Sequence, residues 1–331
     1  MILFLLLFEL SVIFGFLLDL LLADPAKLPH PVVIIGRGIT FLEKHLRAIF
    51  ADTPRGRRRG GAVMAALIPV TTFIVTASLC IAAWLIHPIA FFLLHTLWCW
   101  QAVAIRGLAK EAKNVYRCLT NREDPSWLIA SRKAVSRIVG RDTQALDADG
   151  VMRAAVETVA ENYSDGVIAP YLYMMIGGAP LALTYKSINT MDSMVGYKNE
   201  KYIDFGRVPA HLDDAAGYIP ARLGALLWIC AAAMTGRSAR GAWRIWRRDN
   251  RNHASPNSAQ TESACAGALG IRLAGPAYYF GEFYDKPTIG DDLRPIEPED
   301  ILRTNRMLYA ASILAVLLCM AGSCVFLILV G

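Results

Sequence analysis

Long apolar runs separated by short polar stretches set the pattern of this chain. Residues 2–22 form the first run, interrupted only by Glu9 and Asp19, and residues 62–86 form the second. At 1.5 Å per residue the second run reaches roughly 37 Å, enough to cross a bilayer with tilt. His87-Pro88 punctuates the pattern before a third run at 89–105, and a last run covers 307–330. Two further apolar segments, 167–184 and 215–235, are broken. The first contains Pro170, Gly177, Gly178 and Pro180; the second contains Pro220 and Arg222. Paired, Gly/Pro-interrupted segments are how discontinuous helices around a midplane site read in transporters. The pattern predicts an all-α, polytopic integral membrane protein with about four full transmembrane helices, two interrupted or re-entrant apolar helices, and cytoplasmic helical loops. Residues 1–331 read as a single membrane-embedded domain.

Charge orients this scheme. Arg55, Arg57, Arg58 and Arg59 precede the second run, and Arg237, Arg240, Arg244, Arg247, Arg248 and Arg251 follow the segment near 215–235. Such blocks mark the cytoplasmic side of a membrane protein. They predict an outer N-terminus, an inner 23–61, an outer turn at His87-Pro88 and a cytoplasmic helical insert at 106–165, with a helix start at Asp124-Pro125-Ser126. The later arginine block also belongs inside, so both broken segments cross or neither does. Incomplete helices would keep 185–214 cytoplasmic and make 236–306 a second cytoplasmic loop region.

Composition agrees: 55% of residues are hydrophobic and 19% charged, richer in apolar residues than a soluble domain. The net charge of +6 is modest and sits where topology needs it, so no nucleic-acid partner is expected. The first run lacks a basic leader and a small-residue cleavage site and is expected to be a retained span. Cys80, Cys99, Cys230, Cys319 and Cys324 lie in apolar runs with no CxxC pairing, which argues against a disulfide framework or a Cys/His metal site.

Polar side chains at membrane depth are costly unless they line a cavity and meet a ligand. The run Tyr185–Tyr197 supplies Lys186, Asn189, Thr190 and Ser193 at i, i+3, i+4 and i+7, one helical face, together with Asp192. Glu157, Glu161 and Asp165 recur at i, i+4 and i+8, with Asn162 beside them. Like charges on one face repel, and a divalent cation or arginines would compensate; carboxylate and amide oxygens suit Mg²⁺. A solvated acidic face is the competing reading. Asp213-Asp214, followed by Arg222, can hold a metal bound to phosphate oxygens, or simply favour a helix N-terminus. Arg248, His253, Asn257, Ser258 and Glu262 surround the start of a helix built of small residues, where Asn257 and Gln260 look like a cap; its free N–H groups suit an anion. Lys286 lies in a Gly/Pro loop between Gly275 and Gly290, and Asp24 and His30 lie in a proline-rich turn at a membrane exit. No GxxxxGK[ST] loop, dinucleotide fingerprint, Gly-x-Ser-x-Gly or His-Glu-x-x-His is present.

In order and composition these blocks resemble the CbiB/CobD family of membrane-bound adenosylcobinamide-phosphate synthases. The matching stretches are Asp24 to Gly36, Glu161-Asn162-x-x-Asp165-Gly166, Tyr185–Tyr197, Asp213-Asp214 through Arg222, and His253–Ser258 continuing to Gly270. The resemblance implies an ATP- and Mg²⁺-dependent amide ligase of cobalamin biosynthesis in the cytoplasmic (inner) membrane. It would join a propionate carboxylate of adenosylcobyric acid to (R)-1-aminopropan-2-yl phosphate (aminopropanol phosphate). Implied partners are these substrates and the lipid bilayer, with either a second copy or other membrane enzymes of corrinoid assembly. On this reading Glu161, Asp165, Asp192, Asp213 and Asp214 are the catalytic metal–phosphate ligands. Lys186, Arg222, Arg248 and Lys286 contact phosphates, and Asn162, Asn189, His253, Asn257 and Ser258 position substrates. The chain departs from the family pattern at His211, at Ala259-Gln260-Thr261 and at Ala274, where glycine is common. Two other classes compete. Asp165-Gly166-x-x-Ala169 resembles the opening of the CDP-alcohol phosphotransferase motif, although Pro170 replaces its arginine, so a phospho-alcohol or prenyl transferase is one; a non-catalytic transporter or sensor is the other.

Overall fold

The computed structural model describes the backbone of residues 2–22, 28–279 and 281–330 and the side chains of these as far as Ala321; Asp24, Pro25 and the Cys324 side chain lie outside the described residues. The helices are α1 (Ile2–Leu21), α2 (Pro31–Ile49), α3 (Pro54–Ile86), α4 (Pro88–Ala102), α5 (Ile105–Thr120), α6 (Trp127–Val135), α7 (Ala148–Tyr163), α8 (Ala169–Val195), α9 (Arg207–Met234), α10 (Ala239–Asp249), α11 (Ser258–Leu269) and α12 (Glu299–Val330). A π-helical turn, Ser164–Ile168, joins α7 to α8. Four short strands, β1 (Leu273–Ala274), β2 (Ala277–Tyr279), β3 (Glu282–Tyr284) and β4 (Thr288–Ile289), pair antiparallel as β1 with β4 and β2 with β3, giving order to the predicted Gly/Pro loop.

The protein is an all-α multi-pass membrane protein. Among the described residues six helices are long and apolar enough to cross a bilayer, within Ile2–Leu21, Pro54–Ile86, Pro88–Thr120, Ala148–Val195, Arg207–Met234 and Glu299–Ala321. Punctuation falls where proline and histidine place it. His30 Nδ1 accepts the Val32 N–H at 3.2 Å to cap α2, and His87 Nδ1 accepts the Ile89 N–H at 3.1 Å to cap α4. Each cap precedes a proline at the first helical position, whose missing N–H costs nothing there. His30 is thus a capping residue.

The chain divides into two compact units, residues 1–104 with 169–218, and residues 105–168 with 219–331. In the first unit α1 packs on α4, and α3 and α4 pack on α8. Ser11, Val12, Gly15, Phe16 and Asp19 form the inward face of α1. A Cβ at Gly15 would lie 2.5 Å from Cys99 Cβ and 2.9 Å from Trp100 N, so only glycine permits this approach. Leu67, Val70, Ile74, Ile81 and Leu85 of α3 are exposed, an apolar surface suited to lipid. Ile39, Leu46, Met64, Met191, Val195 and Phe205 bury one another in a core between α2, α3 and α8.

The first interrupted segment is broken as predicted. Gly177 and Gly178 leave helical geometry, Gly178 at φ +64° in the left-handed region open to glycine. His95 closes the break: its Nε2 accepts the Ala179 N–H at 3.0 Å, its Nδ1 lies 2.6 Å from Ser11 Oγ, and that hydroxyl donates to the Phe8 carbonyl at 2.7 Å. Nε2 as acceptor places the proton on Nδ1. The second segment differs from the interrupted helix expected of it, because α9 runs unbroken through Pro220. Proline removes the N–H owed to the carbonyl four residues earlier, Ala216, and Tyr173 Oη donates to that carbonyl at 3.2 Å instead.

In the second unit α10 packs closely on α11. A Cβ at Gly241 would lie 2.5 Å from the Gly267 carbonyl oxygen, and small residues let the two backbones meet. α11 is buried along its whole length. Gln260 does not complete a cap with Asn257: its amide donates to the Asn250 and Pro256 carbonyls at 3.0 and 3.1 Å and accepts from Trp246 Nε1 at 2.9 Å, tying α11 to α10.

Candidate functional site

Each unit carries its own polar cluster. In the first, the run Tyr185–Tyr197 is helical as far as Val195. Its hydroxyls are spent on the helix itself, Thr190 Oγ1 donating to the Lys186 carbonyl at 2.6 Å and Ser193 Oγ to the Asn189 carbonyl at 2.9 Å. The run also carries Lys186, Asn189 and Asp192. Asn189 Nδ2 reaches Asp213 Oδ1 of α9 at 3.4 Å, and Asp213 stands within electrostatic reach of Asp192, Asp214 and Lys186. Three carboxylates and one ammonium are thus grouped beside an amide. Tyr173 stacks on Tyr185, ring centroids 5.2 Å apart, at the edge of this group.

The second unit gathers Arg141, Glu157, Glu161, His253, Glu262 and Lys286. Glu157 pairs with the Arg141 guanidinium and accepts the Ala274 N–H at 2.6 Å, so both carboxylate oxygens are used. Ala274 adopts φ +57°, the left-handed conformation that explains a preference for glycine there, and it does so while presenting that N–H to Glu157. Glu262, 4% exposed on the buried α11, faces the charges of Glu161, Glu157, Arg141 and Lys286. Burial first, and then Glu161 and Glu157, push its carboxyl well above the usual range. Its Oε2 and the neighbouring Thr261 Oγ1 are buried without a hydrogen-bond partner. His253 Nδ1 accepts the Ser255 N–H at 3.1 Å; burial draws the imidazole below its ordinary value, against the opposing pull of Glu161. Lys286 Nζ donates to Tyr279 Oη at 2.7 Å.

The remaining sequence-derived residues are placed as follows. Arg222 Nη1 donates to Asn257 Oδ1 at 3.4 Å, with Ser258 beside it at the start of α11. Arg248 is held by Asp249 through two bonds of 2.7 and 2.8 Å and by Asp291 at 2.6 Å, a bracing arrangement for the loop that follows. Asn162 Nδ2 donates to the Thr158 carbonyl at 3.0 Å, and Asp165 sits in the π-helical turn. Asp192, Asp213 and Asp214 therefore belong to the first unit, and Glu161 and Asp165 to the second. Arg141, Tyr279 and the full weight of Glu157 and Glu262 were not assigned from sequence. Their partners lie far along the chain, as with Ala274 and Glu157, 117 positions apart.

Among the described residues no three His, Cys, Asp or Glu side chains converge closely enough to hold a metal ion. Mg²⁺ does not need such a cage: it is commonly bound by one or two carboxylates and the oxygens of substrate phosphates. Asp213 with Asp192 or Asp214 fits that arrangement.

Comparison with known proteins points one way. A family model described as CobD/Cbib protein matches residues 12–308. A protein of Geobacter metallireducens named cobalamin biosynthesis protein CobD is 50% identical over 309 residues, covering 91% of this chain and 92% of that protein. The Clostridium perfringens protein of the same name is 41% identical over 97% of this chain and 99% of its own length. A Salmonella arizonae protein named cobalamin biosynthesis protein CbiB is 45% identical, with 94% of this chain and 96% of that protein covered. No solved structure matches.

Proposed function

The chain belongs to the CobD/CbiB family of cobalamin-biosynthesis proteins, and from that premise we propose that it is an ATP-dependent amide ligase of the cytoplasmic membrane. Its substrates on this reading are adenosylcobyric acid and (R)-1-aminopropan-2-yl phosphate, and its product is adenosylcobinamide phosphate. The observation that carries the reading is the contact of Asn189 with Asp213, set among Asp192, Asp214 and Lys186. Carboxylates, an amide and an ammonium grouped in this way suit a cation-bridged polyphosphate.

A carboxylate and an ammonium do not condense at neutral pH. ATP must first phosphorylate the propionate, releasing ADP; the amine then attacks the acyl carbon and expels phosphate. Asp213 with Asp192 or Asp214 would hold Mg²⁺, which when bound screens the nucleotide phosphates and polarises them. Lys186 draws the phosphate chain in by charge, and Asn189 fixes the orientation of the Asp213 carboxylate. Arg222, oriented by Asn257, and Lys286 supply cationic donors for phosphate oxygens in the second unit.

The test is product formation by the purified protein. ATP, Mg²⁺, adenosylcobyric acid and the aminoalkyl phosphate should give a species of the amide mass, absent when ATP is left out. No such species under those conditions contradicts the proposal.

A further inference from the structure

The first unit holds a cavity that no step of the proposed reaction uses. The end of α2, the start of α3 and the segment joining α8 to α9 enclose about 520 Å³, lined by Arg47, Phe50, Arg57, Gly60, Lys201 and Phe205 among others. Two of its cations are held in place. Arg47 lies over the Phe205 ring, 4.4 Å from the centroid, while its Nε donates to Glu43 at 2.9 Å and its Nη2 to the Lys201 carbonyl at 3.0 Å. Arg57 donates through Nε to Asp52 at 2.6 Å and through Nη1 to the Glu200 carbonyl at 3.5 Å. Each fork is thereby oriented and keeps one nitrogen, Nη1 of Arg47 and Nη2 of Arg57, with no partner among the described residues.

The position of the cavity along α3 sets its depth. α3 is long and apolar enough to cross a bilayer, and its apolar run begins at Ala62. Gly56, Arg57 and Gly60 line the cavity just before that point. At 1.5 Å per residue they stand roughly 3–9 Å outside the hydrocarbon, and the headgroup layer is about 5–8 Å deep on each side. Beside the cavity α2 leaves Phe41 and Ile49 exposed, apolar surface of the kind that meets the acyl boundary.

Charge then selects the occupant. Arg47, Arg57, Arg58 and Lys201 are matched in number by Glu43, Asp52, Asp204 and Glu200. Lys44, Arg55, Arg59 and Lys198 are exposed around them and make no ion pair among the described residues, so the surplus at this membrane edge is positive. Cations clustered directly beside a span attract anionic lipid, and two oriented guanidinium groups suit the oxygens of a phosphodiester. A positive-inside signal by itself needs charge, but neither a cavity nor a fixed guanidinium.

We propose that this cavity binds the phosphodiester headgroup of an anionic phospholipid from the adjoining leaflet. Arg47 and Arg57 take the phosphate oxygens, and Lys44, Arg55, Arg59 and Lys198 draw the lipid in from the rim. The site stands apart from the ligase reading, because none of the residues assigned to that reaction lines it. Phosphatidylcholine brings a cation of its own to the positive rim and binds less well.

Native mass spectrometry of the full-length protein, in uncharged-detergent micelles titrated with phosphatidylglycerol or phosphatidylcholine of the same chains, tests this. The wild type should bind phosphatidylglycerol about tenfold more tightly, on the scale of hydrogen bonds to a charged group. Arg57→Gln should cut that preference by about fivefold, the worth of one basic residue at a lipid surface. Arg251→Gln makes the same charge change in the other arginine block and should leave the preference intact. Should Arg57→Gln fail to fold, Lys201→Gln carries the same expectation, since that side chain lines the same cavity. Glycerol 1-phosphate in excess should not displace the lipid; displacement would assign the cavity to soluble phosphates and overturn the proposal. Equal binding of the two lipids by the wild type would overturn it too, as would a cavity variant that keeps the full preference. An equal loss in Arg251→Gln would reduce the effect to net charge and remove the site.

Discussion

Tyr173 Oη donates a hydrogen bond to the Ala216 carbonyl at 3.2 Å, and Ala216 is the residue whose helical partner Pro220 removes. That bond lets α9 continue where its sequence predicts a break. Tyr173→Phe keeps the ring stacked on Tyr185 but strands the carbonyl. It should cost about 1 kcal/mol, the net worth of one hydrogen bond to a half-buried carbonyl. Unfolding of the purified variant in mixed micelles measures this; unchanged stability would show that the carbonyl finds another donor.

His95 closes the break in α8 by accepting the Ala179 N–H, with Ser11 on its other nitrogen. His95→Leu leaves that N–H and the Ser11 hydroxyl without it, and a loss of about 1–3 kcal/mol is expected. His95→Asn and Ser11→Ala separate the two contacts, and the thermal midpoints of the three variants should fall in the order set by the number of bonds lost.

Ala274 at φ +57° is the described non-glycine residue with a left-handed backbone. Ala274→Gly should stabilise the protein by about 1 kcal/mol, because the Cβ is the source of the strain and the N–H to Glu157 is kept. A lower thermal midpoint in this variant would mean that unfolded-state entropy outweighs the relief.

Asp249 supplies a pH dependence whose sign can be worked out. Burial acts to raise its carboxyl, but the hydrogen bonds from Arg248 and the Gly290 N–H outweigh this and hold it below the ordinary value of 3.8. A depressed folded-state value means that the stabilisation is complete above that ordinary value and is lost as pH falls through the lower, folded one. Unfolding followed from pH 6 to about pH 2 should show a slope that Asp249→Asn flattens. An Asn variant with the same slope would place the acid sensitivity elsewhere.

Asp213→Asn and Asp192→Asn should each abolish amide formation, by a factor of at least about 100, while leaving membrane insertion and helix content intact. Asn189→Ala should give a smaller loss of about tenfold, since it orients a carboxylate rather than replacing one. Full turnover in both Asp variants, assayed by product mass, would remove the first cluster from the reaction.

What the sequence reveals about this fold is local. Apolar runs, the punctuation at His87-Pro88 and the Gly177-Gly178 break depend on neighbours within a few residues, and they could be read directly. Pro220 could not, because the group that rescues its helix, Tyr173, is 43 positions away from Ala216. The candidate site divides in the same way. The Tyr185–Tyr197 face and Asp213 declare themselves by placing charge beside apolar helices. Glu262 is hidden in a run of small residues, and its weight emerges only when Glu161, Glu157 and Lys286 are found around it. Arg141 lies in a polar segment where an arginine attracts no notice, until Glu157 is seen to pair with it.

The central claim is that ATP activates a carboxylate of the corrinoid by taking one of its oxygens. Adenosylcobyric acid labelled with ¹⁸O in the reacting propionate tests this in a single turnover of the purified enzyme. The account predicts one ¹⁸O atom in the phosphate released, together with ADP and the amide product. Phosphate free of label in the presence of amide product would contradict it.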